Sequence, residues 1–256
     1  YRAESNFKQE KYDESLKDYV VIIKENKKQY LESALLRASW ITYYQKQDYK
    51  TANEYYGKLY EVADYKENTF VAMKGLLRTA YFLNDFDEVI TNANRILQSD
   101  LVTNNERIEA NYYTGKAYLE KNNIDKAYDA FKKAADLTTN EIGVESRFQM
   151  ADILFQKGKL EDSKKQCLEI INDMPAYEEW VVRSYILLAD ISAAKGDYAQ
   201  AKATLKSIID NYEGDPALLE LTKQKLEQVE EMEKSGKRIQ DDGVDDEDIE
   251  ELEFNK

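Results

Sequence analysis

Apolar residues recur along most of this chain at spacings of three and four, in runs broken by short polar turns, which is the signature of amphipathic helices following one another. Six times an aromatic or aliphatic residue is followed three positions later by a second residue that is nearly always small: Tyr12/Ser15, Tyr49/Ala52, Phe86/Val89, Ile124/Ala127, Leu160/Ser163 and Tyr198/Ala201, with Val89 the one bulkier member. Successive second members lie 37, 37, 38, 36 and 38 residues apart, and self-similarity at a fixed period of this size predicts a stacked repeat array. Four residues after each small residue stand Tyr19, Tyr56, Ala93, Phe131, Cys167 and Leu205, and three further on Ile22, Leu59, Ile96, Ala134, Ile170 and Ile208. Those spacings keep them on one helical face. Twelve residues before each small residue come Ala3, Trp40, Leu77, Gly115, Ala151 and Ala189, inside a second amphipathic run. Between the runs lie Gln47-Asp48, Asn84-Asp85, Asn122-Asn123, Gly158-Lys159 and Gly196-Asp197. Glycine suits a left-handed cap at the end of the first helix, and Asp or Asn caps the start of the second. Each unit is therefore predicted to be helix, tight turn, helix.

Composition supports an all-α reading, since nine Gly and two Pro in 256 residues leave little room for strand-rich architecture. No stretch approaches the roughly 18 apolar residues of a membrane span. The chain opens at Tyr1, within what should be a first helix and without an initiator Met, so it is expected to be the later part of a longer protein, with any leader or anchor upstream. Histidine is absent, which removes histidine-based triads and histidine metal ligands. Cys167, the single cysteine, stands at a buried-face position and is expected to be core. There is no Gly-rich phosphate loop, and acid pairs such as Glu178-Glu179 and Glu230-Glu231 are ordinary on solvated helices. A non-catalytic protein without cofactor or metal is expected.

The formal charge of −14 is unevenly spread. Residues 241–253 hold nine acids and no base, and Lys256 follows, so a body that is only mildly acidic carries a strongly acidic end. Neither provides the basic stripe that a nucleic-acid binder needs. Asp215-Pro216 reads as a helix start, capped and with proline at the first helical position. Residues 215–234 are then expected to form a terminal capping helix. From 235 to 256 the acid run is expected to stay unfolded or to dock, and it lacks the alternating ligands of a calcium loop.

With these features in place, the units resemble tetratricopeptide (TPR) repeats. The fourth unit matches best, with Gly115, Tyr118, Ala127, Phe131 and Ala134 at the family's G-x2-Y, A-x3-F and A positions, and Pro175 supplies the terminal proline of the fifth. Trp40 and Leu77 depart from the glycine position, and the period exceeds the family's usual length, a feature similar to bacterial cell-envelope TPR proteins of the periplasm or outer membrane. The resemblance covers residues 1–212, read as one truncated and five full repeats. It implies a right-handed α-α superhelical solenoid whose first helices line a concave groove that binds a peptide or protein.

Carried residue by residue, the groove positions are Arg37, Ile41, Tyr44 and Gln45 in the second unit, then Lys74, Arg78, Tyr81 and Phe82 in the third. The fourth supplies Glu109, Tyr112, Lys116 and Leu119, the fifth Glu145, Phe148, Asp152 and Phe155, and the sixth Arg183, Ile186 and Asp190. Aromatic rings and basic groups are enriched at binding hot spots, so Arg37, Tyr44, Lys74, Arg78, Tyr81, Tyr112, Lys116, Phe148, Asp152 and Phe155 are the candidate partner-binding residues. Against this stands the plain reading that the rings fill the space between helices and the charges are merely solvated. The carboxylate clamp of chaperone-binding TPR domains is not reproduced, the pair here being Lys74/Arg78. The resemblance thus implies an interaction scaffold for a protein or an acidic-hydrophobic peptide, with a structural or self-associating spacer, or a regulatory module of a larger protein, as alternatives. Residues 244–254, which mix acids with Val244, Ile249, Leu252 and Phe254, are expected to dock on an aromatic and basic patch.

Overall fold

The computed structural model describes residues 1–241, with side chains through 235. The acidic segment from 242 onward, and with it the expected docking of residues 244–254, lies outside the described residues. What is described is all helical: thirteen α-helices, with no strand among the described residues. In each unit a first helix (A) is followed by a second (B). The A helices are α1 (Arg2–Lys8), α3 (Lys28–Trp40), α5 (Lys66–Phe82), α7 (Asn104–Glu120), α9 (Glu141–Gln156) and α11 (Glu178–Ala194). The B helices are α2 (Tyr12–Lys24), α4 (Tyr49–Val62), α6 (Phe86–Gln98), α8 (Ile124–Ala135), α10 (Leu160–Asp173) and α12 (Tyr198–Asn211). The last helix, α13 (Pro216–Asp241), starts where the proline predicts and runs past the boundary expected near residue 234. The described residues divide into two compact bodies, residues 1–146 and those from 147 onward.

The small-residue row is the closest point of each helix pair. Ser15, Ala52, Val89, Ala127, Ser163 and Ala201 are all completely buried. Where the residue is serine, its hydroxyl donates across the crossing to the A-helix carbonyl twelve residues earlier, Ser15 Oγ to Ala3 O at 2.8 Å and Ser163 Oγ to Ala151 O at 2.7 Å. A second buried small row, Ala34, Ala72, Ala110, Ser146 and Ser184, runs along the A helices. In the fourth unit the ring of Phe131 lies so close over Gly115 that an added Cβ would stand 2.8 Å from it, which accounts for glycine opposite phenylalanine.

Every turn within a unit has one geometry. Its first residue is left-handed whatever its type: Glu10, Gln47, Asn84, Asn122, Gly158 and Gly196 have φ of 58, 51, 59, 54, 70 and 80°. Only two of these are glycine, so the turn imposes αL on side-chain-bearing residues that tolerate it less readily. Asp48, Asp85, Asn123 and Asp197 then cap the B helix by accepting from the backbone N–H three residues on, whereas Lys11 and Lys159 make no such side-chain cap.

The second unit corrects the sequence register. Residues Ile41–Gln45 continue α3 as a π-turn, which adds one residue to the helix. The backbone records the insertion: the N–H after the left-handed residue bonds five positions back in the other units, as in Asp85 to Ala80 and Asn123 to Tyr118, but six back in this one, from Asp48 to Thr42 at 2.9 Å. Counting twelve back from Ala52 therefore stops one residue short. Ser39, fully buried, stands at the crossing, and Trp40 is displaced onto a half-buried face where it packs edge-on against Phe7 at 5.3 Å. The same slip turns Ile41, expected in the groove, into core.

Ala127→Phe and Ser39→Phe should each overpack a crossing and cost about 1–3 kcal/mol, read from urea unfolding. Trp40→Phe should cost less than Ser39→Phe; the reverse order would return Trp40 to the crossing.

Candidate functional site

In the first body, stacking brings A helices side by side, so that side chains about one unit apart in sequence meet. The four basic groups expected to recognise acids all sit on this A-helix face, and each is already held by a carboxylate of a neighbouring A helix. Arg37 Nη2 lies 3.0 Å from Glu4 Oε1, Lys74 Nζ 3.0 Å from Glu106 Oε1, and Lys116 Nζ 3.5 Å from Glu145 Oε1. Arg78 grips Glu109 with two nitrogens, one of them Nη2 at 2.7 Å from Oε2. Its remaining Nη1 donates to the Tyr44 hydroxyl at 2.8 Å. Bidentate guanidinium–carboxylate pairs are the strong kind, and the Glu109 bond holds the Arg78 pKa above the ordinary guanidinium value despite burial. Bases and acids of the A-helix row are therefore paired between units.

Aromatic rings are interleaved with these pairs. Lys116 Nζ sits 5.2 and 5.1 Å from the ring centroids of Tyr81 and Tyr112 and donates to the Tyr112 hydroxyl at 3.1 Å. Burial, and then the hydrogen bond to Glu145, push the Tyr112 phenol far above its ordinary pKa. Ring contacts run unbroken from Phe7 to Phe131, including Tyr43–Tyr44 at 4.6 Å, the Tyr49–Phe82 stack at 4.2 Å and Tyr81–Tyr113 at 5.1 Å. Most of this aromatic row is half-buried, as the plain reading expects. Tyr44 and Phe82, however, are 46% and 44% exposed. The π-turn carries Tyr44, and no sequence rule flagged that turn.

The second body has a different balance. Asp190 is paired with Lys225 of α13 at 2.8 Å. Asp152 receives only an amide hydrogen bond, from Gln156 at 2.7 Å, and burial followed by the nearby Asp190 charge raises its pKa. Phe148 and Phe155 pack against the core cluster of Ala151, Cys167, Leu187 and Ile191, with Phe148 also 5.5 Å from Trp180. Ile186, one of the expected groove positions of the sixth unit, is core. Cys167 is fully buried and burial pushes its thiol up to about 12, so it is an unreactive packing residue.

Sequence reasoning missed Glu4 and Glu106, which complete two of the ion pairs. The available signal was a base and an acid on A helices separated by about one repeat.

With this geometry in view, comparison with known proteins finds that residues 109–137 and 183–214 match the tetratricopeptide repeat family model. Those two stretches are similar to tetratricopeptide repeats. The TPR protein YrrB, whose crystal structure is described as having an unusual peptide-binding site, superposes with a TM-score of 0.58 at 17% identity, covering 80% of this chain and 97% of that one. A TPR protein from Parabacteroides merdae gives 0.54 at 14% identity, with 89% and 96% covered. Pseudomonas aeruginosa PilF gives 0.53 at 14%, with 84% and 98% covered. No curated protein matches the chain. TPR proteins are usually non-catalytic, and among the described residues no helix is long and apolar enough to cross a membrane.

Two titrations test the electrostatics. The Thr103 hydrogen bond and Lys74 lower the Glu106 pKa from 4.5 to about 2. Its contribution to stability is thus complete above the unfolded value and lost as pH falls from about 5 toward 2; Glu106→Gln should flatten that part of the urea-midpoint profile. Asp152 is raised, so its ionised form opposes folding at neutral pH. Asp152→Asn should leave the melting temperature at pH 7 unchanged or higher, and a clear drop would show a stabilising charge.

Proposed function

We propose that this chain is a non-catalytic protein–protein interaction scaffold that binds a peptide or protein segment on the A-helix face of its TPR units, chiefly in the first body. The observation that carries the reading is the row of exposed and half-buried rings at Tyr44, Tyr81 and Tyr112 set between ion pairs that fix their positions. Rigid rings offer contact area at low entropic cost, and arginine beside them is the residue mix of binding hot spots. Because Lys74, Arg78 and Lys116 already have carboxylates, an acidic partner residue must displace Glu106, Glu109 or Glu145. Affinity therefore comes first from the rings, with acid recognition by exchange. Arg37, paired to Glu4, extends the same face, and Phe148, Asp152 and Phe155 are the corresponding positions of the second body. A peptide-binding site in YrrB, named in the description of its structure, is consistent with this use of the fold. The longer-than-usual unit motivates a role in a bacterial envelope assembly.

The test is to pan a displayed random-peptide library on the full chain and measure selected peptides by fluorescence anisotropy. Tyr44→Ala and Lys116→Ala should weaken binding about tenfold or more, roughly 1.4 kcal/mol, while Lys66→Ala, whose pair with Asp100 is surface-exposed, should not. Equal binding by all variants would remove this face from the interaction.

A further inference from the structure

A second surface, separate from the A-helix ion pairs, lies in the second body. A cavity of about 770 Å³ is formed by α11 and α12, with Lys164 of α10 at its edge. Its wall includes Val182, Tyr185, Leu188, Ile191, Ile208 and Tyr212. Tyr185 is 39% exposed although it belongs to an A helix. The size is that of an ordinary ligand pocket.

The sequence explains why the space is open here. Two and six residues after the buried small residue, the B helices carry Lys17/Val21, Glu54/Lys58, Thr91/Arg95, Asp129/Lys133 and Lys165/Glu169, but the last has Ala203/Ser207. Both of these small residues line the cavity. The last B helix thus carries two small residues where each of the others carries at least one long side chain. The charged groups on the lining are Lys164, Lys195 and Asp197. Asp197 caps α12 by accepting from Gln200 N–H, and Lys195 is paired with Glu161. An adjoining hollow on α10 adds Lys165 and exposed Leu168, together with Glu161, Glu169 and Asp173.

We propose that this cavity is the docking site of the chain's own residues 242–256, with apolar side chains of that segment in the cavity and its acids at Lys164 and Lys165. Three observations converge. The segment supplies Val244, Ile249, Leu252 and Phe254 among eight acids and one lysine, a composition that fits an apolar floor edged by lysine. The tether is short: Glu233 of α13 bonds Lys202 of α12 at 2.6 Å, one residue from cavity-lining Ala203, and the helix from there to Asp241 advances only about 12 Å. The fifteen residues that follow reach up to about 50 Å when extended, several helix diameters. The proposal is independent of peptide binding on the A-helix face, because none of the residues assigned there lines the cavity.

The test uses the full chain with a cysteine at Asn255 (Asn255→Cys) paired with either Ala203→Cys in the cavity or Glu231→Cys on the exposed side of α13, which is nearer to the segment along the chain. Cys167 is buried and does not compete. Under mild oxidation the Ala203→Cys pair should close an intramolecular disulfide at least tenfold faster than the Glu231→Cys pair. Adding Phe254→Asp, or Lys164→Glu with Lys165→Glu on the surface, should bring the two rates together. Equal rates from the outset, or an advantage that survives both changes, would overturn the proposal. Disulfide-linked dimers in place of closed monomers would assign the cavity to a second copy and overturn docking within one chain.

Discussion

The contact on which this protein depends is the close crossing of two helices at a side chain too small to hold them apart. With Ser15, Ala52, Val89, Ala127, Ser163 and Ala201 all at zero exposure, the backbones of each pair approach until the serines reach across to carbonyls of the partner helix. That approach dictates the turn. A chain reversing direction over so short a path needs one left-handed residue, and the fold demands it of glutamine and glutamate as readily as of glycine. Core interdigitation then follows from helix geometry, since the residues four and seven positions later fall on the same face.

Stacking of such pairs has an electrostatic consequence. Equivalent positions of successive A helices come side by side, so bases and acids about one unit apart in sequence form the Lys74–Glu106, Arg78–Glu109 and Lys116–Glu145 pairs. Exposed pairs of this kind contribute little to stability; these are partly buried, and Arg78 and Lys116 also donate to tyrosine hydroxyls, so removing one partner strands the other. The pairs therefore act mainly as positioning devices. They hold tyrosine rings on the A-helix face and leave it near electrical neutrality, which shifts the burden of recognition from charge to ring surface.

Much of this was legible in the residues alone. The period, the helix-turn-helix unit, the crossing row, the buried faces through Phe131 and Cys167 and the start of the last helix at Pro216 all rest on short-range spacing, and short-range spacing is what a helix converts directly into a shared face. The tertiary structure decided the rest. A π-turn at Ile41–Gln45 advances the helix by one residue, about 100° of rotation, which exchanges Trp40 for Ser39 at the crossing, moves Ile41 into the core and leaves Tyr44 exposed. Which cations were already neutralised, and which B helix left a cavity beside it, depended likewise on neighbours one unit away. Periodicity along a chain specifies which side of a helix faces inward; what that side meets is set by the register between helices, which exists only once they have packed.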